Sequence, residues 1–166
     1  MKIALCGYLG SGCTEVAEIL ASKFVLETYN TSGLLASVKD FESRTISGEI
    51  DLDTVIKGRL DEILKRDNVI IEGRSAFMVL DRKDVVKVFL NSSLEDRIKH
   101  VGERRGIPIE EAREDVERSD EERAGLIQRI FQKNCLDVEN YDFSISTNSK
   151  TFSKIADIIA DVIKSL

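Results

Sequence analysis

Near its start the chain carries Gly7, Tyr8, Leu9, Gly10, Ser11, Gly12, Cys13 and Thr14 in succession. A short apolar run, residues 2–6, precedes this stretch, and Val16, Ala17, Ile19, Leu20, Ala21 and Phe24 follow it at helical spacing. A buried strand that breaks into glycines and then opens a helix is a setting in which backbone amides cradle a polyphosphate. The glycines let the backbone bend tightly and approach an anion with no Cβ in the way. Gly7, Gly10, Ser11 and Gly12 would form that cradle, and Thr14 falls where a hydroxyl meets a divalent cation.

Position 13 departs from the pattern G-x-x-x-x-G-K-[ST], because Cys13 stands where lysine is expected. The competing reading is a glycine-rich strand–helix turn with no ligand; Gly7, Gly12, Thr14 and the flanking strand and helix oppose it. With no lysine, other cations must supply positive charge to the β- and γ-phosphates. Cys13 is also a candidate thiolate, since a helix N-terminus favours that form. Its only candidate base is His100, the single histidine.

A second group of candidates lies at Glu72-Gly73-Arg74, directly after the apolar residues 69–71. In open α/β sheets ligands bind beyond the carboxyl ends of the strands. Glu72 and the glycine-rich turn are both at such ends, on strands expected to be neighbours. The alternative for Glu72 is a satisfied polar residue at a strand end. Asp84 and Asp142 precede strands, on the opposite edge, and read as structural.

The third group is basic. Arg74, Arg97, Arg104, Arg105, Arg113, Arg118 and Arg123 bunch between positions 74 and 123 of an otherwise acidic chain. Arginine suits phosphate because its planar fork donates to two oxygens at once. Charged helices also mix both signs for solubility. That plainer reading is preferred for Arg105, Arg113 and Arg123; Arg74 and Arg118 are read as functional from their motif positions.

The elements that must hold these groups alternate. Strands are expected at 2–6, 25–29, 69–71, 85–90 and 143–147. Helices are expected at 14–24, 31–46, 52–64, 94–104, 110–130 and 152–166, with caps at Thr31 or Ser32, Asp51 or Asp53, and Ser92 or Ser93. Gly106-Ile107-Pro108, with the only proline, breaks the two charged helices. Such alternation indicates an α/β fold with a largely parallel sheet.

At 166 residues, 42% hydrophobic and 33% charged, the chain suits one globular domain with its own core. A net charge of −6 argues against nucleic acid as a partner. The three cysteines lack metal-ligand spacing, the N-terminal residues lack a signal peptide's long apolar stretch, and no run reaches membrane-spanning length. A cytoplasmic protein with reduced thiols and no membrane partner is expected, with Cys6 buried in a strand and Cys135 uninformative.

With these groups in view, the chain resembles the nucleoside monophosphate kinases, and within them the archaeal-type cytidylate kinases. The resemblance spans nearly the whole chain and is carried by GYLGSGCT, NVIIEGR, RRGIPIEEAREDVERSDEER and YDFSISTNS. Archaeal cytidylate kinases often carry threonine in place of the loop lysine, so Cys13 is less of a departure than it first looks. The resemblance implies a P-loop three-layer α/β/α fold with a parallel sheet, a monophosphate-binding segment at about 31–64 and a small helical lid at about 97–125. It implies ATP and a nucleoside monophosphate, CMP or dCMP, as substrates, with Mg2+; a monomer is expected over an oligomer.

Residue by residue, the resemblance assigns Gly7, Gly10, Ser11, Gly12, Cys13 and Thr14 to the ATP phosphates, and Asn148 to the base-side loop. Thr14 and Glu72 would hold magnesium, Glu72 through water. Arg74 would grip the monophosphate, Arg97 and Arg104 would stand at the start of the lid, and Arg118 would face the phosphates from the return helix. Ser32 and Gly33 would open the acceptor segment, and Glu122 would help read the base. An arginine usual after that pair is replaced by Ala36 and Ser37, with Arg44 as a substitute, and Gly125 stands where a basic residue is expected. These departures keep two alternatives open: a kinase for another nucleotide or small metabolite, and a degenerate kinase that binds nucleotide without turnover. A GTPase switch lacks its N-K-x-D motif here.

Overall fold

The computed structural model describes residues 1–36, Gly48 and residues 51–166. Its centre is a five-stranded sheet made of β1 (Lys2–Gly7), β2 (Glu27–Tyr29), β3 (Val69–Glu72), β4 (Val86–Asn91) and β5 (Phe143–Ser146). The strand order is β2-β3-β1-β4-β5 and every pairing is parallel. The first strand in sequence is thus the central one, flanked by β3 and β4 as the strand-end argument requires.

Alternation along β1 divides the core into two layers. Ile3 and Leu5 point to one face, where helices α1 (Cys13–Phe24) and α6 (Phe152–Ser165) cover them with Val16, Leu20, Ile155 and Ile159. Ala4 and Cys6 point to the other. There they meet Leu60 of α3 (Leu52–Ile63), Phe77 of the 3-10 segment Gly73–Val79, and Leu126 and Ile127 of α5 (Ile109–Phe131). Helix α4 (Leu94–Arg105) and α5 form a hairpin with a small core of its own, Ile98, Val101, Ala112 and Val116, against which Leu9 and Ile107 pack. This is the expected three-layer α/β/α arrangement.

Local chemistry sets the boundaries. Asp51, Ser93 and Thr151 each accept a hydrogen bond from the amide three residues on, capping α3, α4 and α6. Helix α4 ends where Gly106 turns left-handed (φ 66°), and Pro108 precedes the first residue of α5, as the Gly106-Ile107-Pro108 break predicted. One cap differs from expectation: α2 (Thr31–Ala36) is capped by neither Thr31 nor Ser32. Asn30 Oδ1 accepts from Gly33 N at 2.8 Å instead. The rest of the helix expected over 31–46, with Ser37 and Arg44, lies outside the described residues. Asp84, ion-paired to Lys2, and Asp142, accepting from Lys87 N, are structural as read. Among the described residues no helix is long and apolar enough to cross a membrane.

Ile159 is fully buried between α1 and the sheet. Ile159→Ala is expected to destabilise the fold by about 2–5 kcal/mol, from lost burial and a residual cavity. Urea denaturation of both proteins measures this; a loss under half a kcal/mol would mean that α6 is not part of the main core.

Candidate functional site: a phosphate-type turn under a helical hairpin

The glycine-rich turn adopts the conformation its composition suggests. Ser11 N donates to Tyr8 O at 3.1 Å, and Gly10 and Gly12 have φ of 87° and 90°. At Gly10 a Cβ would sit 2.5 Å from the backbone oxygen of Arg97, so glycine is required there by conformation and by contact. Helix α1 opens at Cys13 with no side-chain cap, which leaves its first-turn amides for a ligand.

The register of β1 on β3 pairs Leu5 with Glu72 and brings the acid beside the start of α1. Thr14 Oγ1 donates to Glu72 Oε1 at 3.2 Å. Glu72 is only 6% exposed. Burial raises its carboxyl above the ordinary range, while hydrogen bonds from Asn30 and Thr14 pull the other way. Gly7, Gly12, Cys13, Thr14, Glu72, Arg104 and Arg123 all line one small cavity of about 60 Å³. The turn and the strand-end acid therefore form one site.

Cys13 is not held as a thiolate. Its side chain is buried against Ser11 Oγ at 3.5 Å, and burial pushes its thiol up to about 11. It is a neutral thiol near pH 7, opposite to the helix-end thiolate reading, because desolvation outweighs the helix terminus. His100 is engaged elsewhere: its Nε2 lies 3.0 Å from Glu15 Oε1, and its ring meets Phe152 edge-on at 5.2 Å.

The arginines are distributed differently from expectation. Arg97, read as a charge for the phosphates, is buried and donates to both carboxylate oxygens of Asp120 at 2.8 and 2.7 Å. It also donates to Leu9 O at 3.3 Å and lies over the Tyr8 ring at 5.1 Å. It braces the turn against the hairpin. Arg104 does line the cavity, with Glu15 at 3.6 Å. Arg118, expected to face the phosphates, has a side chain 66% exposed and pairs with Asp115. Arg74 follows β3 as expected, and its NH1 is 3.4 Å from Glu122 Oε2, so the two acceptor-side candidates meet each other. Ser32 and Gly33 are exposed on α2.

Arg123, not Arg118, lines the cavity from α5. It was read as a solvated charge, yet it is 8% exposed and lines the cavity. The signal was the stripe Ala112, Val116, Arg123, Leu126 and Ile127, whose helical spacing faces Arg123 inward with its buried neighbours. Asn148 spends its amide oxygen on Ser93 N at 2.9 Å. Its neighbours Thr147, Ser149 and Lys150 line a wider cleft of about 370 Å³ that continues past Gly10, Ser11, His100 and Phe152.

Comparison with known proteins agrees with this geometry. The profile of the cytidylate kinase-like family matches residues 35–149. A cytidylate kinase of Sulfolobus acidocaldarius is 30% identical over 172 aligned positions, covering 98% of this chain and 94% of the relative. One from Methanopyrus kandleri is 28% identical, covering 91% and 89%. In fold, the chain is similar to a shikimate kinase from Acinetobacter baumannii in complex with shikimate, with a TM-score of 0.67 at 18% identity over 99% and 93% of the two chains.

Gly10→Ala tests whether the backbone of the turn meets a ligand. Its strain is of order 1–3 kcal/mol, and each 1.4 kcal/mol is tenfold in affinity. Triphosphate affinity, measured with a fluorescent ATP analogue, is expected to fall by about 5- to 150-fold. Unchanged affinity would mean that no ligand sits on this turn.

Proposed function

The chain belongs to the cytidylate kinase-like family, and from that premise we propose that it moves the γ-phosphoryl of ATP onto a nucleoside monophosphate, with CMP or dCMP as the acceptor. One observation carries the reading beyond family membership. The hydroxyl that follows the phosphate turn and the acid that ends the neighbouring strand meet at 3.2 Å, beside an uncapped helix N-terminus. Phosphoryl transfer needs in-line positioning and charge balance more than covalent help from the protein, and this is an arrangement of that kind.

The pair also fits magnesium. Mg2+ is commonly held by one or two protein oxygens together with water and substrate phosphates. The described residues offer such a pair and no cluster of three or more His, Cys, Asp or Glu side chains that could hold an ion. Thr14 would hold the ion directly and Glu72 through water. Bound there, it would offset negative charge on the phosphate oxygens.

The positions of the residues support the other roles in this reading. First-turn amides of α1 hold the donor phosphates, and the cleft past Gly10 and Phe152 offers room for the donor's base. An incoming monophosphate would draw the Arg74 fork away from Glu122, a half-exposed partner. The acceptor segment is taken as about 31–64, of which 37–47, 49 and 50 lie outside the described residues, and the lid as about 97–125, whose closure would exclude water and prevent hydrolysis. The neutral Cys13 favours a second reading, a nucleotide-binding module without turnover, since a cation is missing from the turn itself.

A coupled assay with ATP, Mg2+ and a panel of nucleoside monophosphates separates the two. CMP or dCMP is expected to turn over faster than any other acceptor; tight ATP binding with no acceptor phosphorylated would sink the kinase reading. Arg74→Ala is expected to lower kcat/KM for the acceptor by about 10²-fold or more with ATP affinity nearly intact. Full activity in that variant removes Arg74 from the acceptor site.

The pH profile supplies an independent check. The ionised form of Glu72 is the one that holds a cation, and its raised pKa means that this form is lost as pH falls through a value above the ordinary carboxylate range. The acid limb of kcat/KM is expected above that range. Glu72→Gln is expected to be weak at every pH and to lack that limb; an unchanged limb in the variant would assign it to another group.

A further inference from the structure

Every other arginine of the α4–α5 hairpin has an acid. Arg97 is on Asp120, Arg104 on Glu15, Arg105 and Arg118 on Asp115, Arg113 on Glu95, and Arg129 on Asp53. Arg123 differs. Among the described residues no carboxylate lies within ion-pairing distance of it, although it is more than nine-tenths buried. Its hydrogen bond is to Ser119 Oγ, one turn back on its own helix, and its Nε has no partner. The acid of its own helix that acts on it, Asp120, already gives both oxygens to Arg97. Burial pulls the Arg123 pKa below its ordinary value, as expected for a cation held without a counter-ion.

A buried, unpaired guanidinium is destabilising in an empty protein. It is readily understood where a ligand brings the missing charge. Arg123 shares its cavity with Cys13 and Thr14, at the mouth of the phosphate turn. Cys13 occupies the lysine position of that turn, is buried, and as a cysteine has no ammonium to place there. The site thus lacks a cation in the loop and has an unmatched one on the helix above it.

We propose that Arg123 supplies from α5 the positive charge that a lysine at position 13 would supply from the loop, by binding the β- and γ-phosphate oxygens of the donor triphosphate. The inference rests on the turn being a phosphate site, as the proposed function has it. Its planar fork binds two oxygens, where an ammonium acts as a point charge. Because the fork is carried by α5, triphosphate binding and seating of the hairpin are coupled: each favours the other.

The test uses inorganic tripolyphosphate and ATP as probes in isothermal titration calorimetry, with thermal melts alongside. Arg123→Met keeps the length of the side chain and removes the charge. It is expected to weaken tripolyphosphate binding by about tenfold or more and kcat by about 10²-fold or more. Its Tm without ligand is expected to rise, since an uncompensated charge has left the interior; a purely structural arginine would lower it. Adding Cys13→Lys to Arg123→Met is expected to restore most of the lost affinity, whereas Cys13→Lys alone weakens it by crowding two cations into one small cavity.

Tripolyphosphate binding by Arg123→Met at the wild-type level overturns the proposal, as does a folded double variant no better than Arg123→Met. Should Arg123→Met fail to fold, Arg123→Lys serves. It keeps the charge and is expected to retain binding within about tenfold, and its loss of all binding while folded would overturn the proposal. If the wild-type protein phosphorylates no acceptor yet binds tripolyphosphate in an Arg123-dependent way, the kinase reading fails and the Arg123 assignment stands. If it phosphorylates CMP and Arg123→Met binds tripolyphosphate normally, the reverse holds.

Discussion

Parallel pairing of β1 with β3 is the constraint from which the site follows. Leu5 lies opposite Glu72, so the strand that leads into the glycine-rich turn ends level with the strand that delivers the acid. A slip of one residue would turn Glu72 to the other face of the sheet, because side chains alternate along a strand. The register is held by burial on both faces: β1 and β3 contribute Ile3, Ala4, Leu5, Cys6, Val69, Ile70 and Ile71, all fully buried. Apolar packing that knows nothing of chemistry therefore fixes the 3.2 Å contact of Thr14 with Glu72.

On top of this frame sits a hairpin joined to the turn by a polar brace. Arg97 ties α4 to α5 through Asp120, donates to Leu9 O and covers Tyr8, whose hydroxyl in turn meets Cys135 Sγ at 2.8 Å beyond the end of α5. A buried ion pair of this kind adds little net stability against an apolar alternative, but it fixes geometry, since breaking one partner leaves a charge stranded. The turn is therefore held from below by the sheet and from above by directed hydrogen bonds. Apolar contacts of Leu9 with the hairpin's own core complete the junction.

Much of this was legible in the chain. The order of elements and the break at Gly106 to Pro108 follow from periodicity and punctuation, which are local properties; the three layers came with the family resemblance, and the convergence of the turn with Glu72 from the rule that ligands sit beyond strand ends. The family resemblance stated from the motifs also agrees with the profile match. Pairings across the fold were not legible. Sequence could count the arginines but could not say which carboxylate each would meet, so Arg97 became a brace, Arg118 a surface pair and Arg123 a buried cation. Cys13 shows the same limit: a helix end lowers a thiol's pKa, but how deeply the thiol is buried depends on residues far away. Asn30 as the cap of α2 was missed for a smaller reason, since Thr31 and Ser32 beside it are equally good cap residues by type.

Gly12 abuts the ring of Phe152, the first residue of α6, so closely that a Cβ would come within 2.3 Å of it. The turn is thus finished by a residue far downstream. During synthesis the turn and β1 leave the ribosome well before the ring that closes against Gly12 and before α6, which shares with α1 the cover over Ile3 and Leu5. Contacts of such separation form late, because the intervening chain must be ordered first. Until α6 is made, the chain carries a glycine-rich turn with one wall missing and a central strand that only α1 covers on one face, so the turn is not finished until translation has reached α6.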